Sequence, residues 1–353
     1  MNKAFRVDEL YKKIEKKTQA IRRKTATGAT IFTEAGARLL GLFPSTNLPN
    51  TLWVADDIDK KIDSGDWLTG GERLWIAPQR DYFFTNPQDF DGFHVSAHLD
   101  PGIYLQKNDL TFSNSFSLTN HNSKIEHSEC LARRKFSIID DDPYESGLDY
   151  AGVEIGDHLS ISGFNIDMCA WSIAMVYTCG PQNPGTVLLP IANNDAIVNY
   201  FEPIPHNRSS IEHGYARFLI DSKKALKMAI RPEGIVWDNP AKVVYISPFP
   251  GIEKWFCLVK RSNDLPEDQD SCVDTASFNP VGPKGAVQAY NHGYDSEMLY
   301  GEIELQFNKG SSDANKTTSG GVHELLSYAG SKNEILHLAK TILRTDSVPL
   351  IYE

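Results

Sequence analysis

The pattern of apolar and polar positions changes character once along the 353-residue chain. Over residues 7–24, Val7, Leu10, Tyr11, Ile14 and Ile21 recur among lysines at helical spacing, which predicts an amphipathic helix. From about residue 28, short runs rich in Val, Ile, Phe, Tyr and Thr alternate with clusters of Gly, Asn, Asp and Pro. The runs 51–54, 73–76, 102–106, 110–118, 132–139, 158–161, 170–177, 186–190, 215–220, 242–246, 255–259, 286–290 and 299–307 read as strands. Their recurrence at roughly ten-residue intervals marks an antiparallel sandwich or barrel. Helical spacing returns only at 333–343, through Ile335, Leu336, Leu338, Ala339 and Ile342. Strands do not alternate with helices, which speaks against a parallel sheet. Stretches 263–270 and 309–321, rich in Pro and acids or in Ser, Thr, Gly and Asn, read as exposed loops. The expected organisation is an N-terminal helical arm over residues 1–27 and one large β domain over 28–353.

Composition narrows the classes. Apolar residues at 41% and charged residues at 23% suit a globular core. The net charge of −11 argues against a nucleic-acid partner, which needs a basic face. The positive charge gathers at the start, where residues 1–26 carry nine Lys/Arg against three Asp/Glu. That start lacks the apolar run of a secretory leader, and no stretch is long and apolar enough to span a bilayer. The five cysteines are odd in number and widely spaced, without a C-x-x-C pair. Reduced cysteines in the cytoplasm are expected, with neither a disulfide framework nor a zinc site. The oligomeric state is not legible.

Candidate chemistry begins at Gly70-Gly71-Glu72-Arg73-Leu74-Trp75-Ile76-Ala77-Pro78. Two glycines permit a tight turn or a close approach of the backbone. In a strand, Arg73 and Trp75 share a face, setting a donor fork beside an aromatic plate. Such a pairing suits a polyhydroxylated or anionic ligand; the same residues also suit a turn followed by ordinary core. Farther on, Glu302 and Glu304 alternate with Ile303 and Leu305, so a strand there puts both carboxylates on one face. Like charges side by side raise one carboxylate's pKa, as a proton-exchanging group requires. A solvated sheet face would read the same way.

Several stretches in chain order resemble the galactose mutarotase-like superfamily, which includes the aldose 1-epimerases. The first is the Gly70–Pro78 segment. Next come Trp171-Ser172-Ile173-Ala174-Met175 and Gly185-Thr186-Val187-Leu188-Leu189-Pro190. Tyr200-Phe201-Glu202-Pro203-Ile204-Pro205, Tyr290-Asn291-His292-Gly293 and Tyr300-Gly301-Glu302-Ile303-Glu304-Leu305-Gln306 follow. The likeness spans roughly residues 50 to 345 and implies a β-supersandwich of large antiparallel sheets with a concave sugar-binding face.

The resemblance also implies a chemistry. Mutarotation needs a base for the anomeric hydroxyl and an acid for the ring oxygen, with no metal or cofactor. Glu304 falls at the family's base. Trp171 stands where the family's acid histidine falls, and an indole only donates a hydrogen bond. His292 is therefore the candidate acid, with Arg73, Trp75, Trp171, Asn291 and Glu302 as candidate sugar contacts. Lys227 and Arg231 are further basic candidates for a hydroxyl or an acidic substituent. Leu118-Thr119-Asn120-His121 spells part of the family's histidine motif, but its polar continuation reads as a turn. His94 and His98 have helical metal-ligand spacing, yet Gly92 and Val95 beside them argue against a helix. No metal or cofactor is expected. Three functions fit: a sugar isomerase, a non-catalytic sugar-binding module, and a glycoside-cleaving enzyme, which needs two carboxyl groups roughly 5 to 10 Å apart.

Overall fold

The computed structural model describes residues 4–351 except 213, 239, 277–278, 294–297 and 349. Two large antiparallel sheets lie face to face, the mainly-β architecture expected from the strand spacing. The first has nine strands in the order Ala20–Lys24, Ala29–Thr33, Arg38–Phe43, Glu72–Ala77, Cys169–Tyr177, Tyr300–Gln306, Val287–Asn291, Leu226–Ile230 and Ile197–Asn199. The second has eleven, with Ala241–Pro248, Trp255–Ser262, Lys316–Gly330, Asp149–Ser162 and Ile125–Ile139 at its centre. The main core lies between the sheets and takes Leu74, Ile76, Ala174, Ile303 and Leu305 from the first and Phe136, Val153, Ile155, Leu258 and Leu325 from the second.

Two helices cover outer faces. Val7–Ile14 buries Val7, Leu10 and Ile14 against Ile31, Leu40 and Phe43 of the nine-stranded sheet. Lys332–Leu343 buries Ile335, Leu338, Ala339 and Ile342 on the eleven-stranded sheet. Its first turn is closed by Ser331, whose hydroxyl accepts from the Glu334 N–H while Glu334 accepts from the Ser331 N–H.

Two expectations are corrected. The first helix ends at Ile14 rather than reaching residue 24, and Ala20–Lys24 is the edge strand paired with Ala29–Thr33. Sheet pairing overrides the helical spacing of Ile21. The expected loop 309–321 is largely strand. Lys316–Gly330 runs for 15 residues inside the eleven-stranded sheet, paired with both Asp149–Ser162 and Trp255–Ser262. Its glycines mark close packing, since a Cβ at Gly320 would lie 2.2 Å from the Asp157 carbonyl oxygen.

The space between the sheets also holds charge. Arg134 donates to Glu72 Oε2 at 2.6 Å and to Asp157 Oδ1 at 2.7 Å, with all three side chains fully buried. Ser172 donates to Glu72 Oε1 at 2.5 Å, and His323 Nε2 lies 2.9 Å from the Ser172 hydroxyl. Lys260 Nζ stands 3.7 Å from Glu72. Burial dominates the titrations here: it pushes the Asp157 carboxyl up to about 6, brings the Lys260 amine down to about 8, and holds His323 well below its usual value. Glu72, Asp157 and His323 have metal-ligand atoms within 4.8 Å of one another, but Arg134 and Lys260 already supply the cations.

Candidate functional site

Strand register decides which residues of the nine-stranded sheet face outward. Trp171 is opposite Trp75 and Gln306; Ile173 is opposite Arg73 and Glu304; Met175 is opposite Glu302. Gln288 continues the Glu304 row, while Tyr290 and Lys227 continue the Glu302 row. Arg73, Trp75, Trp171, Glu302 and Glu304 therefore share one face. Glu72, Leu74, Ile303 and Leu305 point the other way, into the core. Period-two alternation is the whole reason, as expected from the sequence.

The Gly70-Gly71 pair makes the turn that starts this strand. Both residues have positive φ, +100° and +76°. A Cβ would lie 2.3 Å from the Trp53 carbonyl oxygen at Gly70 and 2.6 Å from that of Leu39 at Gly71. What approaches these glycines is the protein's own backbone.

Each glutamate on the face has its own cation. Arg73 donates to Glu302 Oε1 at 2.8 Å. Lys227 donates to Glu304 Oε2 at 2.8 Å, and Trp171 Nε1 donates to the same oxygen at 2.9 Å. Glu304 is fully buried, whereas 11% of the Glu302 side chain reaches solvent. Burial, opposed by Lys227 and reinforced by Glu302, raises the Glu304 pKa above the usual carboxylate value. Lys227 is only a minor candidate in the sequence; from the Glu302 row it reaches diagonally to Glu304, and that ion pair makes it a central one.

The aromatic residues form a packed layer. The Arg73 guanidinium lies 4.2 Å from the Trp75 ring centroid, and Phe83 stacks on Trp75 at 4.5 Å. Trp75 Nε1 donates to Asp100 Oδ2 at 2.7 Å, and Asp100 also pairs with buried Arg38. Trp171 meets Trp75 edge-on at 5.7 Å, with Lys227 Nζ 4.4 Å from its centroid. The ring contacts already made leave these two tryptophans as walls of the site. The exposed aromatic nearby is Phe93, which contacts Trp67 and Phe83 and was not singled out in the sequence. Its signal would have been an apolar residue in a polar stretch.

Two residues are placed differently from the rest. Asn291 faces the opposite side, and its amide holds the turn at 221–224, accepting from the N–H groups of Asp221 and Ser222 at 2.9 Å. Its amide nitrogen donates to Asp221 and Lys224. It is a scaffold residue for that turn. His292 does lie on the site face, stacked on Tyr300 at 4.4 Å and beside Tyr290. Its backbone N–H bonds Tyr300, four residues before Glu304, which sets it about 13 Å along the strand from the base at ~3.3 Å per residue.

His121, in the turn after Thr111–Asn120, meets His94 instead, with the two Nε2 atoms 3.2 Å apart. No helix among the described residues is long and apolar enough to cross a membrane.

Several buried polar atoms on the site face make no hydrogen bond with the described residues: Arg73 Nε and Nη1, Glu304 Oε1 and Gln288 Oε1. Donors and acceptors of that kind are costly when left unmet.

No protein-family model matches the chain, and comparison with curated proteins gives no match. Among solved structures the chain is similar to a galactose mutarotase-like protein from Lactobacillus casei, at 11% identity and a TM-score of 0.46, over 88% of this chain and 99% of that one. It is also similar to a candidate aldose 1-epimerase from Klebsiella pneumoniae, at 9% identity and a TM-score of 0.40, over 90% of this chain and 81% of that one.

Proposed function

We propose that the chain is a carbohydrate-binding protein. Its site is the outer face of the nine-stranded sheet around Arg73, Glu302 and Glu304, and Glu304 is the base for sugar anomer exchange. One observation carries the reading. Arg73 Nε and Nη1 and Glu304 Oε1 are buried without hydrogen-bond partners among the described residues, in a layer walled by Trp75 and Trp171. Sugar hydroxyls both donate and accept, so one ligand meets the arginine donors and the carboxylate acceptor together. Solvent reaches the layer at Glu302, the most exposed of these residues.

In this reading Glu304 Oε1 takes the proton of the anomeric hydroxyl. The raised pKa of Glu304 suits a group that gives the proton back. The ring oxygen needs a proton as its bond to the anomeric carbon breaks. His292 is too far along the strand for a ligand seated at Glu304, and Lys227 Nζ, 2.8 Å from Glu304, takes that role. Ring closure on either face of the open-chain aldehyde returns both protons.

A second reading is a non-catalytic sugar-binding module. It is favoured by the complete burial of Glu304 and by the two donors already on its Oε2. Magnetisation exchange between the α and β anomers of glucose or galactose separates the two. Catalysis predicts faster exchange with the wild-type chain and loss of about a hundredfold or more in Glu304→Gln. Sugar binding with unchanged exchange selects the module; exchange that survives in Glu304→Gln removes the base assignment.

A further inference from the structure

A cleft of about 360 Å³ opens beyond the end of the strand Leu226–Ile230, within the size range of small-molecule sites, about 300–1,000 Å³. Two short turns form one side. Asn194–Ala196 and Pro232–Gly234 pack so closely that a Cβ at Gly234 would lie 2.2 Å from the Ala196 Cβ. The opposite side is Gln269, pinned from two directions. Its backbone and side-chain N–H groups donate to Glu233 at 3.2 and 3.1 Å, and its side-chain oxygen accepts from the Lys284 N–H at 2.7 Å. Pro283 completes this wall.

Five planar polar side chains line the cleft: Asn193, Asp195, Arg231, Glu233 and Gln269. Glu233 and Gln269 are engaged with each other. Asn193, Asp195 and Arg231 make no side-chain hydrogen bond with the described residues. Arg231 is the distinctive one. Its backbone is fixed, with its N–H on the Ala196 carbonyl at 2.8 Å and its own carbonyl accepting from Gly234 at 2.9 Å. Its Nε is buried without a partner, and it forms no ion pair within 4.0 Å among the described residues. A half-buried guanidinium that forms no ion pair among the described residues, although Asp195 and Glu233 line the same cleft, keeps its fork free for an anion, and that fork matches a carboxylate with two parallel bonds. Asn193 and Asp195, at the rim, suit hydroxyls.

We propose that this cleft binds a small hydroxylated carboxylate of the uronic-acid class, held by its carboxylate on Arg231 and its hydroxyls on Asn193 and Asp195. The site stands independently of the one at Glu304. Ala229 continues the Glu304 row through Gln288, so Arg231 lies two residues beyond that row and two strands over, about 7 Å along the strands and about 10 Å across them.

Proton–nitrogen NMR titration with glucuronate, and in parallel with glucose, tests it on the full chain. Saturable shifts are expected at residues 193–196, 231–234 and 269 with glucuronate, and much weaker ones with glucose. Glu304→Gln should leave them intact, which separates this site from the other. Arg231→Gln should weaken glucuronate by about tenfold or more. No shift in the cleft, equal affinity for glucose, or unchanged affinity in Arg231→Gln would each overturn the assignment.

Discussion

Replacing Lys227 by methionine leaves the Glu304 carboxylate buried with Trp171 Nε1 as its remaining donor among the described residues. The wild-type ammonium sits 2.8 Å from Glu304 Oε2, with side-chain exposures of 3% and 0%. Methionine keeps most of the stem volume, so the perturbation is chiefly the charge. Removing one partner of a buried pair costs about 3–5 kcal/mol, because the other charge stays desolvated. Loss of the cation over Trp171 and Tyr200 adds a smaller term, roughly 0.5–2 kcal/mol.

The pH dependence gives the sharper signature. Glu304 already titrates above its unfolded value, so its favourable contribution is fully present below that value and fades as pH rises through the folded pKa. Without Lys227 the folded pKa moves higher still, and the window of lost stability widens upward. Guanidinium unfolding should therefore give only the small gap from the lost cation–ring contacts between wild type and Lys227→Met near pH 4, and the full gap at pH 7.5. The double variant Lys227→Met with Glu304→Gln should recover most of the loss, since a neutral amide needs no counter-charge. A gap below about 0.5 kcal/mol at pH 7.5, or one that does not change with pH, would refute the reasoning.

Two further outcomes concern the scaffold. Arg134→Met should cost about 3–5 kcal/mol in urea unfolding with an unchanged m-value, because Glu72 and Asp157 lose the cation that bonds both. Gly71→Ala should lose clearly more stability than Gly65→Ala in thermal melts. Both glycines have positive φ, worth about 1 kcal/mol, but only Gly71 would drive its Cβ into a backbone oxygen, at 2.6 Å.

The face carrying Arg73, Trp75, Glu302 and Glu304 was legible because a strand's side-chain period is two, whatever surrounds it. Their partners were not. Lys227 and Glu304 are set together by pairing through the strand Val287–Asn291, which no local pattern encodes. The interior ions were hidden for the same reason: Glu72, Arg134, Asp157, Lys260 and His323 come from five different strands. The strand Lys316–Gly330 was missed because Ser, Thr and Gly suit loops locally. Here Thr317 and Ser319 are buried with their hydroxyls bonded to the Gly163 and Asn308 carbonyls. Asn291 matched a motif but faces the other way, and the one-residue offset from Tyr290 is enough to turn it.

The indole N–H of Trp171 touches the proposed base directly, 2.9 Å from Glu304 Oε2, and that of Trp75 marks the neighbouring wall on Asp100. NMR of these two signals during titration with glucose, galactose and related aldoses reads the proposed site itself. The account predicts saturable movement of both signals with at least one aldose, and a displaced Trp171 signal in Glu304→Gln before any sugar is added. Aldose binding that leaves both indoles unmoved, or no aldose binding at millimolar concentration, would contradict it.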